Sequence, residues 1–174
     1  MKKLISMLLA LTVVLTVSAG CAPANEPAVE NLPGTMEEVI ASVNEKHSAI
    51  ELPLMTQTLE LSDVDGLKYN TGLTSADKIT QVAVSEPMMG QPYSLVMVRV
   101  KDAADAAAVA QEMYDKIDMR KWICMEADTK VAASYGDVAM FFMVSSDFAQ
   151  QVTTASMVDA FKGVCGGTPQ VIGQ

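Results

Sequence analysis

The stretch "VAMFFMV", residues 138–144, is apolar at every position. Consecutive side chains of an extended strand point to opposite faces, so both faces of this strand are apolar. The stretch "SLVMVRV", residues 94–100, is apolar on both faces in the same way, apart from its Ser and its Arg. Strands that are apolar on both faces need packing partners on both faces. The two stretches therefore predict the centre of a sheet that is covered on both sides.

Outward from these strands, the pattern predicts two ββα units. The predicted strands are residues 78–86, 93–101, 129–134 and 138–144, rich in β-branched and apolar residues. One predicted helix runs from an Asp102 cap to about Met119, and the last begins at Ser146 or Asp147 and ends at Gly163. We expect an α+β fold with a four-stranded, mainly antiparallel sheet in ββαββα order, helices packed on it and an additional N-terminal helix. The two later helices are expected to share one face of the sheet.

The N-terminal helix is predicted from a capping box, Thr35 to Glu38, and an apolar period that continues to Ile50. We expect this helix to cover the second face of the sheet, with a second copy of the chain as the alternative. His47, the only histidine, lies on the apolar stripe, where it is either a core residue or a ligand. The sequence "DVDG", residues 63–66, resembles a calcium loop only in its first residues and is interpreted as a turn.

The first residues predict export and lipid attachment. A positive start at Lys2 and Lys3 precedes an apolar stretch that is short for a membrane span, and small residues lead to Gly20 and Cys21. This arrangement resembles the bacterial lipoprotein processing box. The resemblance implies diacylglyceryl transfer to the sulfur of Cys21 and cleavage between Gly20 and Cys21. A secretory signal with an incidental Cys is the alternative.

The expected organisation is a signal peptide over residues 1–20, a lipidated Cys with a Pro-rich tether over residues 21–34, and a single domain over residues 35–174. Without Lys2 and Lys3 the chain has 10 basic and 21 acidic residues, a net charge of −11. Such a charge repels nucleic acid, so no nucleic-acid partner is expected. The predicted location is the extracytoplasmic side of the cell membrane, through the lipid on Cys21.

Three ordered blocks carry a family resemblance. They are "YSLVMVRVKD" followed by an Ala-rich helix, then "KWICMEAD", then "YGDVAMFFMVS". Together they resemble the C-terminal domain of lipoproteins from anaerobic Gram-positive bacteria, catalogued as domain-of-unknown-function family 4358, over residues 59–148. The resemblance implies a lipid-anchored extracytoplasmic domain without an assigned activity, and it gives no catalytic residues.

The block "RKWICMEAD", residues 120–128, holds the only Trp of the chain beside a Cys and two carboxylates. If this block is extended, Trp122, Cys124 and Glu126 share one face. Trp122 then anchors the crossover to the next strand, and Cys124 is either a buried apolar residue or a reactive thiol. A disulfide between Cys124 and Cys165 is a further possibility outside the cytoplasm.

The remaining candidates concern binding. Glu126, Asp128 and Asp137 could meet at one end of a hairpin and hold a cation, although solvated carboxylates are the commoner outcome. Met88 and Met89 lie in the loop "PMMGQP" and either contact a partner or fold back on the sheet. The block of possible binding residues is thus Met88, Met89, Trp122, Glu126 and Asp128.

No phosphate loop, nucleophile elbow, metal-ligand spacing or paired catalytic carboxylates stand out in the sequence. We therefore expect no cofactor and no metal, and we favour a binding protein over an enzyme. Its expected partner is an envelope protein or a small ligand. The alternative function is a thiol-based redox enzyme or sensor that uses Cys124.

Overall fold

The computed structural model describes residues 30–47, 53–147 and 152–173. Within these residues the chain forms a six-stranded sheet and four α-helices. In chain order the elements are α1 (Met36–Lys46), β1 (Leu54–Thr58), α2 (Val64–Thr71), β2 (Ile79–Pro87), β3 (Tyr93–Val100), a short 3₁₀ turn (Ala103–Asp105), α3 (Ala106–Lys116), β4 (Thr129–Tyr135), β5 (Val138–Val144), α4 (Thr154–Val164) and β6 (Gln170–Ile172).

The two strands predicted to be central, β3 and β5, lie side by side in the middle of the sheet. The strand order is β1-β2-β3-β5-β4-β6, and every neighbouring pair is antiparallel. Every residue of β5 is buried. Val96 of β3 pairs with Phe141 of β5, in the register that aligns their apolar faces.

The prediction of four strands was wrong, because β1 and β6 add one strand to each edge. The residues of β1, "LMTQT", are only partly buried or exposed, and β6 has three residues, none of them fully buried. Edge strands with so few apolar residues leave little periodic signal. Their place is fixed instead by pairing, with Leu54 opposite Pro87 and Ile172 opposite Ala132.

Helices cover both faces of the sheet, and each face has its own core. On one face α1 and α4 pack over Leu95, Met97, Met140 and Phe142. On the other face α2 and α3 pack over alternate residues of the same strands, including Val96, Val98, Phe141 and Met143. The N-terminal helix does cover one face of the sheet, but it shares that face with α4 instead of covering a face opposite both later helices.

The expectation that the two later helices share a face was wrong, because α4 lies beside α1 and opposite α3. The apolar period of α4 identifies its buried residues, Met157, Val158 and Phe161. It does not identify the face of the sheet that they contact, since both faces are apolar.

Side-chain caps fix the helix starts. The capping box at α1 is confirmed: the Glu38 amide donates to Thr35 Oγ1 at 3.3 Å, and the Thr35 amide donates to Glu38 Oε2 at 2.7 Å. The predicted start of the last helix was wrong, since α4 begins after Thr153, which forms a second capping box with Ser156. Asp102 caps the 3₁₀ turn rather than α3 itself.

Candidate functional site

The residues predicted to bind a partner gather at one end of the sheet. This end is formed by the β2–β3 loop, by the segment that precedes β4 and by the residues that follow β5. The amide of Ser145 donates to the Pro92 carbonyl at 2.9 Å, and the amide of Asp128 donates to the Val144 carbonyl at 3.3 Å. We call this end the tip surface, made of Met88, Met89, Ile123, Met125, Glu126, Asp128 and Asp147.

Large apolar side chains are exposed on the tip surface. The exposed fractions are 70% for Met88, 76% for Met89, 89% for Ile123 and 43% for Met125. The alternative in which Met88 and Met89 fold back on the sheet was therefore wrong. Neighbouring apolar residues that stay in water are typical of interaction surfaces, and methionine adapts its shape to different partners.

The block around Trp122 forms a tight turn and not an extended strand. Trp122 and Met125 form an isolated antiparallel bridge, and Cys124 between them has a φ of +61°. The left-handed conformation is uncommon for a residue with a Cβ. Trp122 is buried in the α3 core, as predicted, whereas the turn exposes Cys124 and Ile123. The expectation that Cys124 is buried was wrong.

A buried lysine holds this turn against the sheet. The Lys121 side chain is 1% exposed, and its ammonium group pairs with the carboxylate of Glu86. It also donates to Ser94 Oγ at 3.1 Å and lies 5.2 and 5.3 Å from the ring centroids of Tyr69 and Trp122. Burial lowers the pKa of Lys121, and the charge of Glu86 opposes that change.

The role of Lys121 was not predicted from the sequence. Its burial is a feature of many catalytic lysines, but its surroundings do not fit a catalytic role. A lysine with a lowered pKa is a common nucleophile or base. However, this ammonium group is almost completely enclosed and its hydrogen bonds go to side chains of the protein. The contacts of Lys121 orient the turn. The one feature of the sequence that could have indicated them is the acidic Glu86 near the end of β2, which pairs with Lys121.

Acidic side chains line a cleft in the tip surface. The cleft has a volume of about 480 Å³ and lies between Pro92 of the β2–β3 loop and Met125 of the turn. Its walls carry the carboxylates of Glu126, Asp128 and Asp147. The hydroxyl and the amide of Ser146 both donate to Asp128, the amide at 2.8 Å, and these bonds lower the pKa of Asp128.

The possible cation site of Glu126, Asp128 and Asp137 does not assemble. Asp137 lies at the opposite end of the sheet from Asp128, where it pairs with Arg99 at 3.2 Å. The described residues contain no group of three potential ligands placed to hold a metal. The carboxylate of Asp63 caps α2 by accepting from the Gly66 amide at 2.9 Å, which accounts for the "DVDG" sequence.

Two of the remaining candidates, His47 and Cys165, are separate from the tip surface. His47 is buried at the end of α1, and its Nε2 lies 2.8 Å from Ser156 Oγ of α4. Cys124 and Cys165 are both free thiols here, and the disulfide between them that was a possibility is not formed. Cys165 packs partly buried against the α1 and α4 core, and this burial raises its pKa to about 12. Gly20 and Cys21, the predicted cleavage and lipidation residues, lie outside the described residues.

The described chain begins at the end of the sheet that lies opposite the tip surface. Arg99, near the end of β3, donates to the Leu32 carbonyl and, at 2.8 Å, to the Gly34 carbonyl. Gly136 in the β4–β5 turn lies so close to Glu30 that a Cβ would come within 2.7 Å of the Glu30 carbonyl oxygen. Residues 30–34 are thus fixed against the β4–β5 turn.

Comparison of the chain with protein families, with curated proteins and with solved structures found no match. The family resemblance given above stays a prediction. Within residues 30–47, 53–147 and 152–173, none of the helices has the length and apolar character needed to cross a membrane.

Proposed function

We propose that this protein is a lipid-anchored domain on the extracytoplasmic side of the cell membrane, and that its tip surface binds another protein of the envelope. The observation that carries the proposal is the exposure of four large apolar side chains at one end of the sheet. A surface of this kind is stabilised when a partner removes it from water, by about 25 cal/mol for each Å² buried.

The internal bonding of the titratable groups supports binding rather than catalysis. Lys121 and His47 are buried and bonded to other side chains of the domain. Asp128 is held by Ser146. An acid–base mechanism needs a titratable group within hydrogen-bond reach of the substrate, and the side chains of Lys121 and His47 face protein atoms instead.

The position of residues 30–34 supports an anchor that leaves the tip surface free. If the chain is attached through Cys21, the attachment leads to the β4–β5 end of the sheet. The nine residues between Cys21 and Asn31 reach about 30 Å when fully extended. The tip surface would then point away from the lipid, where a protein partner can reach it.

The anchor is tested by mass spectrometry of the protein isolated from its own membrane. We expect a chain that begins at Cys21 and carries acyl groups, and we expect Cys21→Ser to abolish both the acylation and the cleavage before residue 21. An unmodified Cys21 in the native protein would exclude the anchor.

The binding surface is tested with a photo-cross-linking residue in place of Ile123, compared with the same residue in place of Glu45, which is exposed on α1. We expect one discrete adduct with another protein from position 123 only. Replacement of both Met88 and Met89 by Ser should weaken that adduct, because it removes apolar contact area. Equal adducts from both positions would contradict a specific surface.

A thiol function is the second candidate, because Cys124 is exposed. Cys124 and Arg120 together line a second cleft, of about 300 Å³, next to the acidic one. A nearby cation is one of the features that activate a thiol. Cys124→Ser separates the two functions. If the tip surface only binds a partner, Cys124→Ser should leave the cross-link from position 123 unchanged. A thiol enzyme or redox sensor would instead lose its thiol-dependent activity, because the substitution removes the sulfur atom.

A further inference from the structure

We propose that the partner presents a basic segment, with Lys or Arg side chains that enter the acidic cleft and apolar side chains that pack on the exposed methionines and Ile123. This inference rests on the proposed function and names the chemistry of its partner. It combines two observations: the exposed apolar side chains at the tip surface and the carboxylates of the cleft that Met125 also lines.

The cleft places negative charge beside Met125, one of the exposed apolar side chains. Glu126, Asp128 and Asp147 line it together, while its other lining residues are Pro92, Met125 and Ser145. Within the described residues neither Glu126 nor Asp147 forms an ion pair with a cation of the chain. These carboxylates are therefore available to a partner.

The basic groups nearby do not neutralise this cleft. The charge of Lys121 is directed into the protein, toward Glu86. Arg120 lines the neighbouring cleft, where Glu126 is the one carboxylate it shares with the acidic cleft, and it does not line the acidic cleft itself. The whole chain has a net charge of −9, so the longer-range field also favours a cationic partner.

The same geometry disfavours two other occupants. A second copy of the chain bound through the same surface, as in a two-fold dimer, would place its own Glu126 and Asp147 against the same carboxylates, and like charges across an interface are destabilising. A bilayer with anionic headgroups would repel the cleft for the same reason. Attachment at the β4–β5 end would also direct the tip surface away from the membrane.

The test uses the full chain in cells that export it, with the photo-cross-linking residue in place of Ile123, and identifies the cross-linked peptide by mass spectrometry. We expect a peptide of another protein in which Lys or Arg residues outnumber Asp and Glu and flank apolar residues. Glu126→Lys with Asp147→Lys should lower the cross-link yield by about fivefold or more. The matched control is Glu45→Lys with Asp159→Lys, which makes the same charge change at exposed positions of α1 and α4 and should leave the yield unchanged.

The outcomes separate this inference from the proposed function. An adduct with a neutral or acidic protein segment, or a yield unaffected by Glu126→Lys and Asp147→Lys, would overturn the basic segment and leave a binding surface in place. An adduct with lipid or with another copy of this chain would overturn the choice of partner. The absence of any adduct specific to position 123 would overturn both proposals.

Discussion

Lys121 connects the sheet to the turn that carries the exposed Ile123 and Met125. Its ammonium group meets a carboxylate, a hydroxyl and two aromatic rings, so almost all of its charge is compensated inside the protein. Such a group stabilises the fold only as long as its partners remain, because a buried charge without compensation is costly. The same bonds explain why the turn can expose apolar residues without collapsing onto the sheet.

We expect Lys121→Met to lower the free energy of unfolding by about 2–3 kcal/mol. The cost lies toward the lower end for a buried pair, because Glu86 keeps 25% of its side chain exposed and water can reach the carboxylate. Urea denaturation of the variant and of the unchanged protein measures the difference. Lys78→Met is the matched control, since its pair with Asp105 is largely exposed and screened by water, so its loss should change the stability much less. Equal effects of the two substitutions would show that Lys121 does not hold the turn.

Asp128 gives the tip surface a pH dependence. The bonds from Ser146 favour the charged carboxylate, so the pKa of Asp128 is lower in the folded chain than in the unfolded chain. A lowered pKa contributes stability that is present above the ordinary value of about 3.9 and is lost as the pH falls through the folded value. We expect Ser146→Ala to move the pKa of Asp128 back up and to reduce this acid-dependent loss of stability.

NMR titration of the Asp128 carboxyl group measures that change, and melting temperatures at pH 6 and pH 3 measure its effect on stability. Ser62→Ala, at an exposed position in the turn before α2, is the control and should change neither. A titration curve that is the same with and without the Ser146 hydroxyl would exclude this cause.

At the scale of single elements, the strands and helices with a strong apolar pattern of their own were predictable from the sequence. The edge strands, which have little apolar pattern and depend on pairing with a neighbouring strand, were not. The strands β3 and β5 were predictable because each is apolar on both faces. In contrast, β1 and β6 have few buried residues and exist because β2 and β4 offer them unpaired edges. The face that α4 covers was not predictable, since the two faces of β3 and β5 are equally apolar.

Gly72 shows how closely two helices meet on the α3 side of the sheet. It ends α2 with a φ of +76°, and a Cβ added there would lie 2.7 Å from backbone atoms of Lys116 and Ile117 at the end of α3. Backbone atoms at that distance cannot move aside without shifting a helix. The glycine is required for its conformation and also for its lack of volume.

We expect Gly72→Ala to lower the free energy of unfolding by about 2–4 kcal/mol, because it combines left-handed strain with an overlap of backbone atoms. Gly90→Ala is the matched control: nothing lies within 4 Å of a Cβ at that position, in the exposed β2–β3 loop. Its effect should stay within about 1 kcal/mol. Thermal or urea unfolding of both variants measures the difference, and a tolerated Gly72→Ala would contradict the close approach of α2 and α3.

At the scale of the whole molecule, the candidate site was predictable as a set of residues but not as a surface. The types of Met88, Met89, Trp122, Glu126 and Asp128 were conspicuous in the sequence. That they meet at one end of the sheet follows from the antiparallel pairing of β2, β3, β5 and β4, which places the β2–β3 loop beside the start of β4. Exposure at the tip was not predictable either, since an apolar residue in a loop packs inward as readily as it faces water.

The two ends of the sheet differ: one carries the tip surface, and residues 30–34 are bound at the other. If the chain is anchored through Cys21, the two ends should lie at different distances from the bilayer. The seven residues of β5 separate the ends by about 23 Å. If Cys21 carries the lipid, the β4–β5 end is held near the bilayer by residues 30–34, and Cys124 at the tip surface lies farther away. We expect a fluorophore on Cys124 to transfer less energy to acceptor lipids in vesicles than a fluorophore on Ala103→Cys does.

Ala103 is exposed and follows β3 at the end where residues 30–34 are bound, so it serves as the near position. The comparison uses the lipidated chain with Cys165→Ala in both cases, and with Cys124→Ser when the label is on residue 103. Arg99→Ala should reduce the difference between the two positions, because it removes the hydrogen bonds that hold residues 30–34 to the sheet. Equal energy transfer from both positions in the chain that retains Arg99 would mean that the anchor does not orient the domain, and the tip surface would then reach lipid as readily as protein.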